Sequence, residues 1–190
     1  MVPEELDFDE PALVTRAQGG DLSAFNKLVV RFQGTVYNVC LRMLGDASAA
    51  EDACQETFFA AYRSLKSFRR GAFRGWLLRI ATNQCYDNLR RVQRQPSQPL
   101  PEDLALADPA PEPADAALSA ERAALLERAI RQLPDDQRLC VVLIDVQGLD
   151  YEEAAQAMNV NLGTVKSRLS RARARLRELL TPALRLEEGE

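Results

Sequence analysis

The sequence contains no histidine, and that absence removes several chemistries at once. Zinc sites built on imidazole, Ser/His/Asp triads and Cys/His nucleophile pairs are all excluded. The four cysteines, Cys40, Cys54, Cys85 and Cys140, stand too far apart along the chain to form a CxxC ligand pair. Each falls within an apolar helical pattern, so they read as small core residues kept in a reducing compartment. No apolar run approaches the roughly 18 residues of a membrane span, and no charged-then-apolar leader is visible. The expected location is the cytoplasm, with no membrane span. Alternation of apolar and polar residues never lasts long enough for a strand. A glycine-rich phosphate loop is also lacking, and the acidic neighbours Glu51/Asp52, Asp135/Asp136 and Glu152/Glu153 read as helix-start or surface charges. No catalytic residue, cofactor or metal is therefore expected, and an enzyme is the weakest class.

What the sequence does have is unevenly distributed charge. The formal net charge is −4, which alone suggests no general affinity for nucleic acid. Residues 63–94, however, carry nine Lys/Arg against one acidic residue, Asp87, and residues 161–179 carry six against one, Glu178. The acidic surplus lies in 1–10 and 95–117, each with five acidic residues and no basic one. Two separate basic surfaces can meet a polyanion while the acidic segments keep the remainder soluble.

Six prolines crowd "RQPSQPLPEDLALADPAPEPADAA", residues 94–117, which has no aromatic residue and no regular apolar period. Proline removes a donor and restrains its predecessor, so neither helix nor sheet is expected to run through. The segment 95–117 reads as a flexible acidic linker between domains 1–94 and 118–190. The fold class expected is all-α: two small helical domains joined by a Pro-rich linker.

In the first domain Phe25, Leu28, Val29, Phe32, Val36, Val39, Cys40 and Met43 recur at the three-and-four spacing of one helix face. Asp21 is placed to cap that helix and Gly45 to end it. Ser48 and Glu51 have capping-box spacing for a second helix that buries Ala53, Cys54, Thr57, Phe58, Ala61 and Leu65. "FRRGAF" interrupts the pattern, and a third helix begins near Phe73. In the second domain, helices are expected over "SAERAALLERAIRQL" up to Pro134, over "DDQRLCVVLIDV" closed by Gly148, and over "YEEAAQAM" with a capping box of Asp150 and Glu153.

After the short turn "NVN" comes the basic helix, with Asn161 as N-cap. Its apolar residues Leu162, Val165, Leu169, Ala172, Leu176 and Leu179 form one stripe, and every Lys and Arg falls outside it. A solvated surface helix would explain the residue types. A short helix, a tight turn and a second helix with polar and basic residues near its start is also the helix-turn-helix arrangement that seats its second helix in a major groove. There, uncompensated charge meets phosphates and early side chains reach base edges. Thr164, Lys166, Ser167, Arg168 and Arg171 are expected on the groove side. Arg173, Arg175 and Arg177 suit phosphates or open solvent.

The basic segment of the first domain mixes cations, amides and rings: Phe68, Arg69, Arg70, Phe73, Arg74, Trp76, Arg79, Asn83, Tyr86, Asn88, Arg90 and Arg91. Such a mixture suits single-stranded nucleic acid, whose exposed bases stack on rings and present unpaired edges to amides. Trp76, Leu77, Ile80 and Cys85 lie near the apolar stripe, where a core role competes. Asn83, mid-helix where asparagine is mildly unfavourable, stands out as functional.

Taken in order, "AFNKLVVRFQ", "AEDACQETFFAAYRSLKSF", "FRGWLLRIATN", "LPDDQRLCVVLIDVQGLDYEEAAQAM" and "GTVKSRLSRARARLRELL" resemble the extracytoplasmic-function group (group IV) of bacterial alternative sigma factors, the minimal two-domain form of the sigma-70 family. The resemblance covers nearly everything except the two ends and the linker. It implies a promoter-specificity subunit of RNA polymerase that makes no bond itself. It places residues 1–94 as a region 2-like domain and 118–190 as a region 4-like domain. Asp52, Gln55 and Glu56 would contact the clamp helices of the polymerase's largest subunit, and the flap region would be a further contact of the core. Phe68, Arg69, Arg70, Phe73 and Asn83 would hold a base flipped from the non-template strand of the −10 element. Arg74, Arg90 and Arg91 would lie near the same DNA. Thr164, Lys166, Ser167, Arg168, Arg171 and Arg175 would meet duplex at the −35 element, the linker would thread towards the RNA exit path, and a cognate anti-sigma factor would silence the protein.

One departure stands inside the resemblance. The family loop often reads like "SFRGDSAF", whereas this chain has "SFRRGAF", one residue shorter, without the acidic residue and with an extra Arg. The preferred −10 letter does not transfer with it. Two other classes remain open from the residues alone: a polymerase-independent helix-turn-helix regulator, which would footprint duplex DNA unaided, and a helical protein-binding adaptor, which would show no DNA dependence.

Overall fold

A computed structural model describes residues 8–69, 71–94 and 115–187, with side chains in the last stretch over 121–182. Every regular element among them is helical, in two modules. The first contains α1 (Glu10–Gln18), α2 (Leu22–Leu44), α3 (Ala47–Ser64), a single 3-10 turn (Leu65–Ser67) and α4 (Phe73–Arg94). The second contains α5 (Asp115–Arg131), α6 (Asp135–Val141), a π-helical turn (Val142–Val146), α7 (Tyr151–Met158) and α8 (Leu162–Glu187). The expected linker 95–117 lies mostly outside the described residues, and α5 already begins at Asp115.

Local chemistry explains most boundaries. Asp21 accepts the Ala24 N–H at 3.1 Å and so caps α2, while Gly45 adopts the left-handed φ of 73° that ends it. The Asp150/Glu153 capping box of α7 is complete, with bonds of 2.7 and 3.1 Å. Asn161 accepts the Thr164 N–H at 2.8 Å at the start of α8.

Two expectations change, and one helix is added. The cap of α3 is Asp46, which accepts the Ala49 N–H at 2.7 Å, so Ser48 and Glu51 lie inside the helix and form no capping box. Gly45 turns the chain so sharply that the residue directly after it is already placed to cap. The expected single helix over 135–146 becomes α6 followed by a π turn, in which the Gln147 N–H reaches back to the Val142 carbonyl at 3.0 Å. Gly148, at φ 71°, then closes it. Helix α1 has no counterpart in the apolar periodicity. It is nine residues long, capped by Asp9 with proline in its first turn, and buries Leu13, Val14 and Ala17.

In the first module α2 packs against α1, α3 and α4. Of its stripe, Phe25, Leu28, Phe32, Val36, Val39, Cys40 and Met43 are buried as the spacing predicts, and Val29 is half-buried. In the second, Ile130, Leu133, Leu139, Leu143 and Leu169 form the centre. Both cores belong to one contiguous apolar cluster, because α4 packs on α7 and α2 on α5 and α6. Polar contacts cross the same boundary. Arg42 and Glu127 pair at 2.7 Å with each side chain only 18% exposed. Arg138 donates to the Met43 carbonyl at 2.8 Å, and to the Arg131 and Leu133 carbonyls at 2.8 and 3.0 Å. One guanidinium thus satisfies the C-terminal carbonyls of α2 and α5 together. Burial lowers its pKa, an effect that neighbouring Asp135 opposes. Among the described residues no helix is long and apolar enough to cross a membrane.

Candidate nucleic-acid and polymerase interfaces

Helix α8 presents its two faces as the spacing requires. Val165, Leu169, Ala172 and Leu176 are buried against α5, α6 and α7, and α7 leads into α8 through a turn in which Asn159 takes the left-handed conformation, φ 53°. Lys166, Ser167, Arg171 and Arg175 project from the opposite side and are exposed. None of the three cations makes an ion pair within the described residues.

The other two expected groove residues are occupied. The Thr164 hydroxyl donates to Asn161 Oδ1 at 2.9 Å as part of the cap. Arg168 is half-buried and its Nε lies 2.9 Å from Asp136. It also sits close enough to the α4 residue Tyr86 to offset part of the upward pKa shift that burial gives that phenol. Arg173 is likewise engaged, by Asp145 at 2.5 Å, which raises its pKa. The segment's charge is therefore partly neutralised by its own module, and the free remainder is Lys166, Arg171, Arg175 and Arg177.

The second basic surface is built on the loop between the 3-10 turn and α4. Phe68 is half-buried, its ring 5.9 Å from Phe73 and 5.2 Å from Trp76. Phe73 differs from the expectation that it faces DNA: it is 1% exposed and its ring packs at a tilt against Phe32, centroids 5.6 Å apart, because it opens α4 on the side facing α2. It supports the loop from beneath. Arg69 and Asn83 are exposed, and Arg70 lies outside the described residues. Arg74 reaches across the module boundary, where its Nη2 donates to the Gln147 carbonyl and lies 3.4 Å from Gln147 Oε1. Arg90 pairs with Asp87 at 3.4 Å on open surface, a contact that water screens strongly.

Asp52, Gln55 and Glu56 are exposed on one face of α3. They line a shallow polar groove together with Gln84, Asp87, Asn88 and Arg91 of α4. The residues expected to meet polymerase thus adjoin one of those expected to meet DNA. On the same helix, further towards its end, Phe59 and Tyr62 expose large apolar surfaces, 58% and 42%.

The thiols take no part in these surfaces. Cys40, Cys85 and Cys140 are buried and Cys54 half-buried, all free. The adjoining Cys85 thiol and burial hold Cys40 far towards its protonated form, and burial pushes Cys54 and Cys140 up to about 11. Thiolate chemistry at neutral pH is suppressed accordingly.

Several contributing residues carry no local signal. Gln147, Asp136, Glu127, Glu10 and Gln18 act through partners distant in sequence, and only the folded chain brings those partners together.

Comparison with known proteins agrees with this architecture. Residues 28–95 match the family model Sigma-70 region 2, and residues 123–176 match Sigma-70, region 4. The RNA polymerase sigma-H factor of Pseudomonas aeruginosa is 39% identical over 195 residues, covering 97% of this chain and 99% of that protein. The ECF RNA polymerase sigma factor SigE of Mycolicibacterium smegmatis is 40% identical over 164 residues, covering 84% of this chain and 62% of that longer protein. Among solved structures, the sigma factor RpoE of Bartonella quintana in complex with the anti-sigma factor NepR superposes with a TM-score of 0.69 at 28% identity, covering 84% of this chain and 98% of that one.

Proposed function

Because the chain belongs to the extracytoplasmic-function RNA polymerase sigma factors of the sigma-70 family, we infer that it is a promoter-specificity subunit of bacterial RNA polymerase. It binds the core enzyme and directs it to promoters, and it performs no bond chemistry. In this reading residues 1–94 hold polymerase and the −10 element, 118–190 form a helix-turn-helix domain for the −35 element, and 95–117 tether the two.

The observation that carries the reading is the uncompensated cationic face of α8, Lys166, Arg171 and Arg175, opposite a stripe committed to the core. Phosphates supply the missing counter-charge, and Arg171 is placed early enough in the helix to reach base edges. At −10, Phe68, Arg69, Asn83 and the neighbouring Arg91 surround the opened non-template strand. Phe73 and Trp76 keep the loop's floor apolar. Extruding one base costs a few kcal/mol, about what contacts to the freed base and flanking phosphates supply. Asp52, Gln55 and Glu56 dock on the clamp helices of the largest subunit, and the second module meets the flap region. Tethering raises the effective concentration of the second contact once the first has formed. A cognate anti-sigma factor covers these surfaces in the inactive cell, by analogy with the NepR complex.

Reconstitution with purified core polymerase and a promoter library tests the whole. Initiation at promoters sharing −10 and −35 elements should appear only when this chain is added. A duplex footprint without polymerase would instead favour an independent regulator. In the same assay Arg171→Ala should lower initiation about tenfold on an intact −35 element, the cost of one good base contact, and much less on a scrambled one. An equal loss on both would exclude base reading by Arg171.

A further inference from the structure

The loop that Phe68–Phe73 forms is anchored at both ends by a single short helix. Gln18, the last residue of α1, donates from its Nε2 to the Leu65 carbonyl at 3.0 Å and to the Phe68 carbonyl at 2.7 Å. Glu10, the first residue of the same helix, accepts the Phe73 N–H at 3.2 Å through Oε1. That N–H opens α4 and has no partner within the helix, so the carboxylate satisfies an orphan donor and also favours the positive end of the helix dipole. Both protons of the Gln18 amide are consumed on the loop's entry, and the Glu10 carboxylate holds its exit. The nine-residue helix that carries them is a rod about 13 Å long. None of the described residues between the anchors belongs to a regular element, and Gly71 adopts φ 107°. Helix α1 itself precedes the segment that matches Sigma-70 region 2.

We propose that Glu10 and Gln18 are positioning residues for the base-reading loop: α1 acts as a spacer that fixes how far apart Phe68 and Phe73 stand, and so the shape offered to a base extruded at −10. The proposal rests on the assignment of this loop to −10 made above. It accounts for how the ends of a loop one residue shorter than the common family form are held apart, since they are set from outside rather than by the loop's own length.

Gln18→Glu is the discriminating variant, because it keeps size and removes both donated protons. Glu10→Ala removes the acceptor and Glu10→Gln restores one. Each variant is assembled with core polymerase and assayed on promoters carrying single-letter changes in −10 and, separately, in −35. Acrylamide quenching of Trp76, the one tryptophan, whose ring lies 5.2 Å from Phe68 and 5.5 Å from Phe73, reports loop position directly. Gln18→Glu and Glu10→Ala should compress the preference among −10 letters by about tenfold, the worth of one or two hydrogen bonds. They should raise Trp76 quenching and leave core affinity and −35 preference unchanged, and Glu10→Gln should return close to the parent values. Retained −10 preference and quenching in both Gln18→Glu and Glu10→Ala would overturn the brace alone, as would a uniform loss on every promoter without change in preference. A parent holoenzyme indifferent to −10 letters would overturn the loop's assignment and the brace with it.

Discussion

Thr82 and Thr57 are both buried on helices of the first module, yet only Thr57 is satisfied: its hydroxyl donates to the Ala53 carbonyl at 2.7 Å. Thr82, 1% exposed, finds no hydrogen-bond partner for Oγ1. Removing an unsatisfied buried hydroxyl removes its desolvation cost, so Thr82→Val should stabilise the chain by about 1 kcal/mol in urea unfolding. The buried thiols set an alkaline limit. Cys54 and Cys140 move from 9.0 to about 11 on folding. Above about pH 9 the unfolded chain releases protons that the folded chain retains. Stability from this source is complete below that pH and is lost as pH rises towards 11. Urea midpoints between pH 8 and 10.5 should fall, and Cys140→Ala should flatten the fall. At this scale the sequence was a good guide wherever a residue acts within its own helix. The buried stripes of α2 and α8 followed from spacing alone. Phe73 did not, because it stands at the start of α4 beside a cluster of arginines and its partner Phe32 is some forty residues away.

Element boundaries show the same division. The caps at Asp21, Asp150 and Asn161 were legible because cap and recipient are three residues apart. The cap of α3 was misread because two candidates, Asp46 and Ser48, compete within three residues, and the left-handed Gly45 decides between them. Asp46→Ala should therefore destabilise the first module by about 1 kcal/mol, and Ser48→Ala hardly at all. Gly45→Ala places a Cβ at φ 73° and should cost about 1 to 2 kcal/mol, read from the same melting curves. The π turn after α6 left no mark in the sequence, since Val142–Val146 is equally apolar in either helix type. Its effect is positional: the wider turn delivers the Gln147 carbonyl to Arg74.

At the scale of the whole molecule, two modules that the sequence separates by a proline-rich tract are packed together, with the Arg42–Glu127 pair and the Arg138 guanidinium at the seam. The acidic and basic blocks announced two surfaces but not their juxtaposition, because the contacts join residues 73 to 95 positions apart. Arg42→Ala leaves Glu127 largely desolvated without its cation, which should weaken the seam by about 1 to 2 kcal/mol. The expected result is a larger radius of gyration in small-angle scattering and a longer donor–acceptor distance between dyes on the two modules, with helix content unchanged. High salt should act in the same direction on the parent. The Arg74 guanidinium is held by a backbone oxygen of the opposite module, so the −10 role proposed for it requires the seam to part before that cation is released.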